Sequence, residues 1–147
     1  MKGHSYQITL PLLAEADAEA RRFGHEYLGP EHLLLAVATQ AQAASRSFFD
    51  RHGITANLLR ESIGEILGPT SSTATAGDPL RLTLRSHVAL AHAIGAASRR
   101  GDSALSYTPD ELLGGLLTDE VATRSIIETV LIRAGITPAE ARAELLA

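Results

Sequence analysis

The chain has 147 residues, 45% apolar and only 4% aromatic, with no Cys and no Trp, so a single domain is expected whose core is made of Leu, Ile, Val and Ala, a composition suited to closely packed helices. The absence of cysteine removes disulfides, thiolate metal sites and cysteine nucleophiles. A formal net charge of −4 without any Lys/Arg run argues against a nucleic-acid partner, and the single lysine, Lys2, leaves no place for the G-x-x-x-x-G-K-[ST] phosphate loop of an ATPase.

No stretch alternates with period two over a useful length, so the expected fold class is all-α. The first helix is expected from about Tyr6 to Phe23, with Ile8, Leu12, Ala16 and Ala20 on one stripe and Gly24 as its stop. The second opens at Pro30, whose missing N–H costs nothing at a first helical position, and turns Leu33, Leu34 and Val37 inward. A third carries Ala44, Phe48 and Phe49 and stops at Gly53. Thr55 then caps a fourth containing Leu58, Leu59, Ile63 and Ile66, which Gly68 ends. The polar, turn-rich run "GPTSSTATAGDP" that follows reads as an exposed linker, placed at 69–80.

The stretches on either side of the linker resemble each other. "PLLAEADAEARRFG" (Pro11 to Gly24) lies over "VALAHAIGAASRRG" (Val88 to Gly101), matching Leu13/Leu90, Ala16/Ala93, Ala20/Ala97, Arg22/Arg99 and Gly24/Gly101. After small insertions, "GPEHLLLAV" overlies "TPDELLGGL" and "HGIT" (His52 to Thr55) overlies "AGIT" (Ala134 to Thr137). Thr108-Pro109-Asp110-Glu111 and Thr137-Pro138-Ala139-Glu140 both have capping-box form. Three ordered anchors predict two four-helix repeats, 5–68 and 81–147, related by a pseudo-twofold axis: eight helices in one domain spanning 1–147.

The elbow "GHEYLGPEHLLLAVA" gathers His25, Glu26, Glu31 and His32, donors of metal-ligand type. Zinc helices of the H-E-x-x-H kind place both histidines one turn apart on one face, whereas Gly29 and Pro30 intervene here. The histidines therefore read as structural, with His32 bonding backbone near a helix start and His25 helping to close the preceding helix. Glu31 and Asp110 fall in first helical turns, where a carboxylate gains a few tenths to about 1 kcal/mol from the helix dipole. Arg21-Arg22 and Arg99-Arg100 sit at equivalent helix ends, where cations are favoured. No G-x-S-x-G elbow occurs, and no metal, cofactor or catalytic activity is expected.

At "RRFGHEYLGPEHLLLAV" the sequence resembles the Clp N-terminal repeat family, the substrate- and adaptor-receiving domain at the front of bacterial ClpA, ClpB and ClpC unfoldases. The family pattern "G-H-x-x-[IV]-G-T-E-H-[IL]-L-L-G-L" is met at Gly24, His25, Leu28, Gly29, Glu31, His32, Leu33, Leu34 and Leu35, and its "Y-T-P-R-A" is met at Thr83 and Arg85. The resemblance covers essentially the whole chain and implies the same eight-helix tandem repeat, free-standing without a motor module. It also implies a non-enzymatic module that binds proteins or peptides: Clp unfoldase-protease components, their adaptors or their clients, with no nucleic acid and no membrane partner. In ClpC-like members such pockets take phosphorylated arginine. Carried onto this chain, the acids facing the guanidinium are Glu31 and Asp110, and the phosphate partners are Thr83 and Arg85. The chain departs from the pattern at Ser5-Tyr6-Gln7-Ile8, which lacks the Thr and Arg, and at "GDSALSYTPDEL", which lengthens the second elbow and loses its histidines.

An alternative is a sequestering protein that takes a small molecule or peptide antibiotic in the groove between repeats. No apolar run approaches the roughly 18 residues that span a bilayer, and no signal-peptide order is present at the N-terminus, so a cytoplasmic location is the expectation.

Overall fold

The computed structural model describes residues 10–68 and 80–146. Among them are nine helices: α1 (Leu13–Phe23), α2 (Pro30–Thr39), α3 (Ala43–Arg51), α4 (Ala56–Leu67), α5 (Leu84–Arg99), α6 (Pro109–Leu116), α7 (Asp119–Ala122), α8 (Ile126–Arg133) and α9 (Pro138–Leu146). Eight of them form the two expected sets of four; α7 is one extra turn in the second set, where three residues are inserted relative to the first. Two short strands, β1 (Tyr27–Leu28) and β2 (Arg81–Leu82), pair in parallel. The expected linker, except Leu80, lies outside the described residues, as do Ser5, Tyr6, Gln7 and Ile8; Leu80 is buried in the core.

The two sets share their backbone chemistry. At the end of α1, Gly24 N–H donates to Arg21 O and His25 N–H to Ala20 O; at the end of α5, Gly101 donates to Ser98 O and Asp102 to Ala97 O. Both glycines are left-handed, at φ 76° and 89°, a conformation without steric cost only for glycine. The ends of α3 and α8 repeat the pattern, with Ile54 N–H on Phe49 O and Ile136 N–H on Leu131 O. Thr39 and Thr118, at matching ends of α2 and α6, each turn Oγ1 back onto the carbonyl three residues earlier, Ala36 and Gly115.

The core centres on α2 and α6. In α2, Leu33, Leu34, Leu35, Ala36 and Val37 are all at most 1% exposed, because a helix that is apolar all round is stable only when neighbours cover every face. In α6, Leu112, Leu113 and Leu116 are fully covered. The helices α1 and α5 pack on α2 and α6 respectively, α2 touches α6, and the remaining helices close the outside. At the α5–α6 crossing a Cβ on Gly115 would stand 2.5 Å from Ala89 O, so the missing side chain is what permits the close approach.

Three expectations change. Helix α1 begins at Leu13, because Leu12 is left-handed at φ 71° beside Pro11, and the buried stripe is Leu13, Ala16, Glu19 and Ala20. Glu19, 1% exposed on that stripe, is held by Arg60 of α4 through bonds of 2.7 and 3.0 Å, which lower its pKa. Leu58 is 40% exposed: Leu59 and Ile63 take the inward face of α4, and Leu58 borders a recess of about 50 Å³ against Val130 of α8, room for little more than a water or two. No helix among the described residues is long and apolar enough to cross a membrane.

Candidate functional site

Pairing of β1 with β2 brings the start of α5 onto the elbow that precedes α2. Leu28 O accepts the Thr83 N–H at 3.1 Å and the buried Ser86 hydroxyl at 2.9 Å. Thr83 is the N-cap of α5: its Oγ1 accepts from Ser86 N–H at 3.2 Å. A residue pattern from the second repeat is thereby fixed beside the acid of the first.

The result is an open cleft of about 420 Å³ where three helix starts meet. Helix α2 contributes Pro30 and Glu31, α5 contributes Thr83, Leu84 and Arg85, and the approach to α8 contributes Arg124, Ser125 and Ile126. Helix starts expose unpaired N–H groups and the positive dipole end, and two arginines add full charges, so the cleft favours an anionic group. Of the sequence-predicted residues, Glu31, Thr83 and Arg85 come together here.

Glu31 is 4% exposed. Its Oε2 accepts the Tyr27 hydroxyl at 2.9 Å, and burial raises its pKa from the ordinary carboxylate value against the opposing effect of these hydrogen bonds. Burial, reinforced by the neighbouring Glu31, also pushes the Tyr27 phenol upward. Gly29 makes room for the carboxylate, since a Cβ there would stand 2.7 Å from Glu31 Oε1. Arg85 anchors through Nη1 to Val121 O at 2.9 Å and Thr123 O at 2.7 Å, at the end of α7. That grip uses one nitrogen and leaves the other guanidinium donors for a ligand.

Asp110 stands apart from the cleft. Its Oδ1 accepts Ser45 N–H at 2.8 Å and its Oδ2 accepts Ala44 N–H at 3.2 Å, so this carboxylate caps α3 of the other repeat. Helix α3 needs that cap because Gln42, at its N-cap position, makes no side-chain bond to the amides. Helix α8, in the matching place, is capped by its own Ser125, whose Oγ accepts from Ile127 N–H at 3.1 Å.

Arg124 was not legible as a site residue, because no motif contains it and its place at the cleft depends on the extra turn of α7. Its backbone is left-handed at φ 57°, a strain of about 1 kcal/mol or more for a non-glycine residue, steadied by a 2.8 Å bond from its N–H to Glu128 Oε1. Its side chain is exposed and has no hydrogen-bond or ion-pair partner among the described residues.

The histidines form a buried chain. Gly29 N–H donates to His32 Nδ1 at 2.9 Å, so the His32 proton lies on Nε2 and is donated to His25 Nδ1 at 2.8 Å. The His25 proton is then on Nε2, which is buried without a partner among the described residues. Burial, with the neighbouring His25, pushes His32 down to about 3, and burial lowers His25 as well. Both rings spend their lone pairs within the elbow, and the described residues contain no group of three or more metal-type ligands.

Comparison with known proteins gives a family match: the model of the Clp repeat (R) N-terminal domain covers residues 11–130. The chaperone protein ClpB of Oceanobacillus iheyensis is 32% identical over 56 residues, 38% of this chain and 7% of that protein. The negative regulator of genetic competence ClpC/MecB of Bacillus subtilis is 29% identical over 58 residues, 40% of this chain and 7% of that protein. The alignments thus span under a tenth of those relatives. Among solved structures, the N-terminal domain of the caseinolytic protease associated chaperone ClpD from Arabidopsis thaliana superposes with a TM-score of 0.65 at 20% identity, covering 92% of this chain and 89% of that one. The Hsp104 N-terminal domain from Candida albicans gives 0.65 at 19% identity, covering 92% and 84%. At these identities the structural likeness speaks for the fold.

Proposed function

Because the chain belongs to the Clp repeat N-terminal domain family, we propose that it is a non-enzymatic protein-interaction module that receives a client or adaptor of a Clp unfoldase-protease and delivers it or withholds it. In this reading the cleft between the repeats takes a phosphorylated arginine side chain of the bound protein. The observation that carries it is the meeting of Glu31 with Thr83 and Arg85, residues more than fifty positions apart in the sequence, in one open cleft. A guanidinium suits the Glu31 carboxylate and a phosphate suits arginine and helix-start N–H groups, each through paired charge-assisted bonds. Asp110 is read as an internal cap instead.

The test is titration of free phosphoarginine against arginine in the wild type and in Glu31→Ala. Binding of the phosphorylated form alone, lost in Glu31→Ala while the fold is kept, is the expected result; no phosphoarginine signal in the wild type ends the ligand assignment. A pull-down of intact folded protein that recovers no Clp component and no client peptide ends the interaction-module reading.

A further inference from the structure

We infer that the chain takes one anionic ligand per molecule, not one per repeat, and that Arg124 is the residue that secures its phosphate; this rests on the ligand assignment above. A tandem repeat offers two equivalent positions, where the first turn of α2 or α6 faces the start of α8 or α3. The structure treats them differently. In one, the Asp110 carboxylate already sits on the Ala44 and Ser45 amides, doing for α3 what an external anion would do. In the other, Ser125 caps α8 locally and Tyr27 holds the Glu31 carboxylate, so the space stays open as the 420 Å³ cleft.

Two sequence differences produce this. Gln42 leaves the α3 amides to be filled from the other repeat, whereas Ser125 does not. At the position of Tyr27 the second repeat has Ser106, whose hydroxyl is turned to Ser103 O and is too short to restrain an acid one helical turn away.

Within the open cleft the two arginines differ in commitment. Arg85 Nη1 is bound to two backbone carbonyls, while the Arg124 side chain carries no partner among the described residues. Arg124 can therefore give its whole guanidinium fork to a phosphate, and bidentate Arg–phosphate pairing needs both donors of that fork. With Arg85 held on its two carbonyls and Arg124 uncommitted in the same cleft, a phosphate there is shared between two cations, with Glu31 left for the guanidinium.

The experiment is calorimetric titration with free phosphoarginine of the wild type, Arg124→Gln and Arg124→Gly, with folding checked by thermal unfolding. Arg124→Gly removes the charge and also the left-handed strain, so a loss of binding in both variants cannot come from an unfolded protein. One site per chain is expected, with affinity reduced about tenfold or more in both variants, the loss of a charge-assisted pair, and a weaker salt dependence. Two sites in the wild type, or variants within about twofold of it, overturn the inference while leaving the ligand assignment standing. No wild-type binding overturns both.

Discussion

The two elbows, from Gly24 to Pro30 and from Gly101 to Pro109, share the backbone bonds at their ends and differ between them, where the first holds strand β1 and the second a 3-10 turn at Ala104–Ser106. Each follows a left-handed glycine, and each ends where a residue at the third helical position reaches back to the N-cap amide: His32 to Gly29, and Glu111 to Thr108. Around the first, Phe23, His25 and Tyr27 stack with centroids 5.1 and 5.3 Å apart and enclose the histidine chain. Around the second, Arg100 holds Glu111 and Asp102 at the surface. Backbone geometry at the elbow ends is thus what both copies keep, while the middle of each elbow and its side-chain chemistry diverge, and only the first elbow places a restrained acid at an open cleft.

The largest effect separates the helix crossings behind the elbows. Gly115→Ala puts a Cβ against Ala89 O, a backbone atom that cannot swing away, and is expected to cost about 1–3 kcal/mol or more. The matching Ala36→Gly in the first repeat should cost about 1 kcal/mol, chiefly helix propensity. Denaturant unfolding of both variants checks this, and equal losses would show that the α5–α6 approach is no tighter in consequence than its counterpart.

That pair also marks where the sequence was readable. Stops at Gly24, Gly53, Gly68 and Gly101 and caps at Thr55, Thr108 and Thr137 are local signals that hydrogen-bond chemistry dictates, and the structure has them all. Glu19 was not legible as core, since its charge is buried only because Arg60 arrives from a helix forty-one residues away. The cleft was half legible: resemblance marked Glu31, Thr83 and Arg85, but that they meet depends on β1–β2 pairing, for which two residues give no period-two signal. Arg124 and the capping role of Asp110 depend on contacts between repeats that no local pattern announces.

Next in size is the response of the two reach-back caps to acid. The folded His32 pKa, about 3, is below the ordinary 6.5. Between these values the unfolded chain binds a proton that the folded chain refuses, so stability is lost as pH falls from about 6.5 toward about 3, by up to about 1.4 kcal/mol per unit. Glu31 opposes this: its raised folded pKa makes burial of the carboxylate a cost that acid relieves. Glu111 is held below the ordinary 4.5, chiefly by Arg100, so its contribution is lost only as pH falls below about 4.5. Unfolding free energies at pH 7 and pH 5 should therefore shift for wild type relative to His32→Gln, and should not shift relative to Glu111→Gln.

A smaller difference tests the two acids. Asp110→Ala frees the Ala44 and Ser45 amides and should destabilise by about 1 kcal/mol, the worth of an N-cap. Glu31→Gln keeps an acceptor for Tyr27 and removes a buried charge, so its melting temperature at neutral pH should rise. Two falls of the same size would mean that Glu31 serves its helix as Asp110 does, and the contrast between the repeats would vanish.

The smallest expected change in stability is at Leu84, the first residue of α5 and 78% exposed at the cleft. The fold gains little from an exposed leucine, and in the first copy Gln7 occupies the corresponding place in sequence. Leu84→Ser should shift unfolding by less than about 0.5 kcal/mol, as surface substitutions do. If Leu84 instead covers an apolar neighbour of the bound side chain, the same change weakens binding of a phosphoarginine peptide with an adjacent leucine by about threefold to tenfold, a fraction of one leucine's burial. Free phosphoarginine, having no neighbour, should bind both proteins alike. Equal weakening for the free amino acid would place Leu84 in the anion site itself, and no weakening for the peptide would leave the cleft reading one side chain without its flanks.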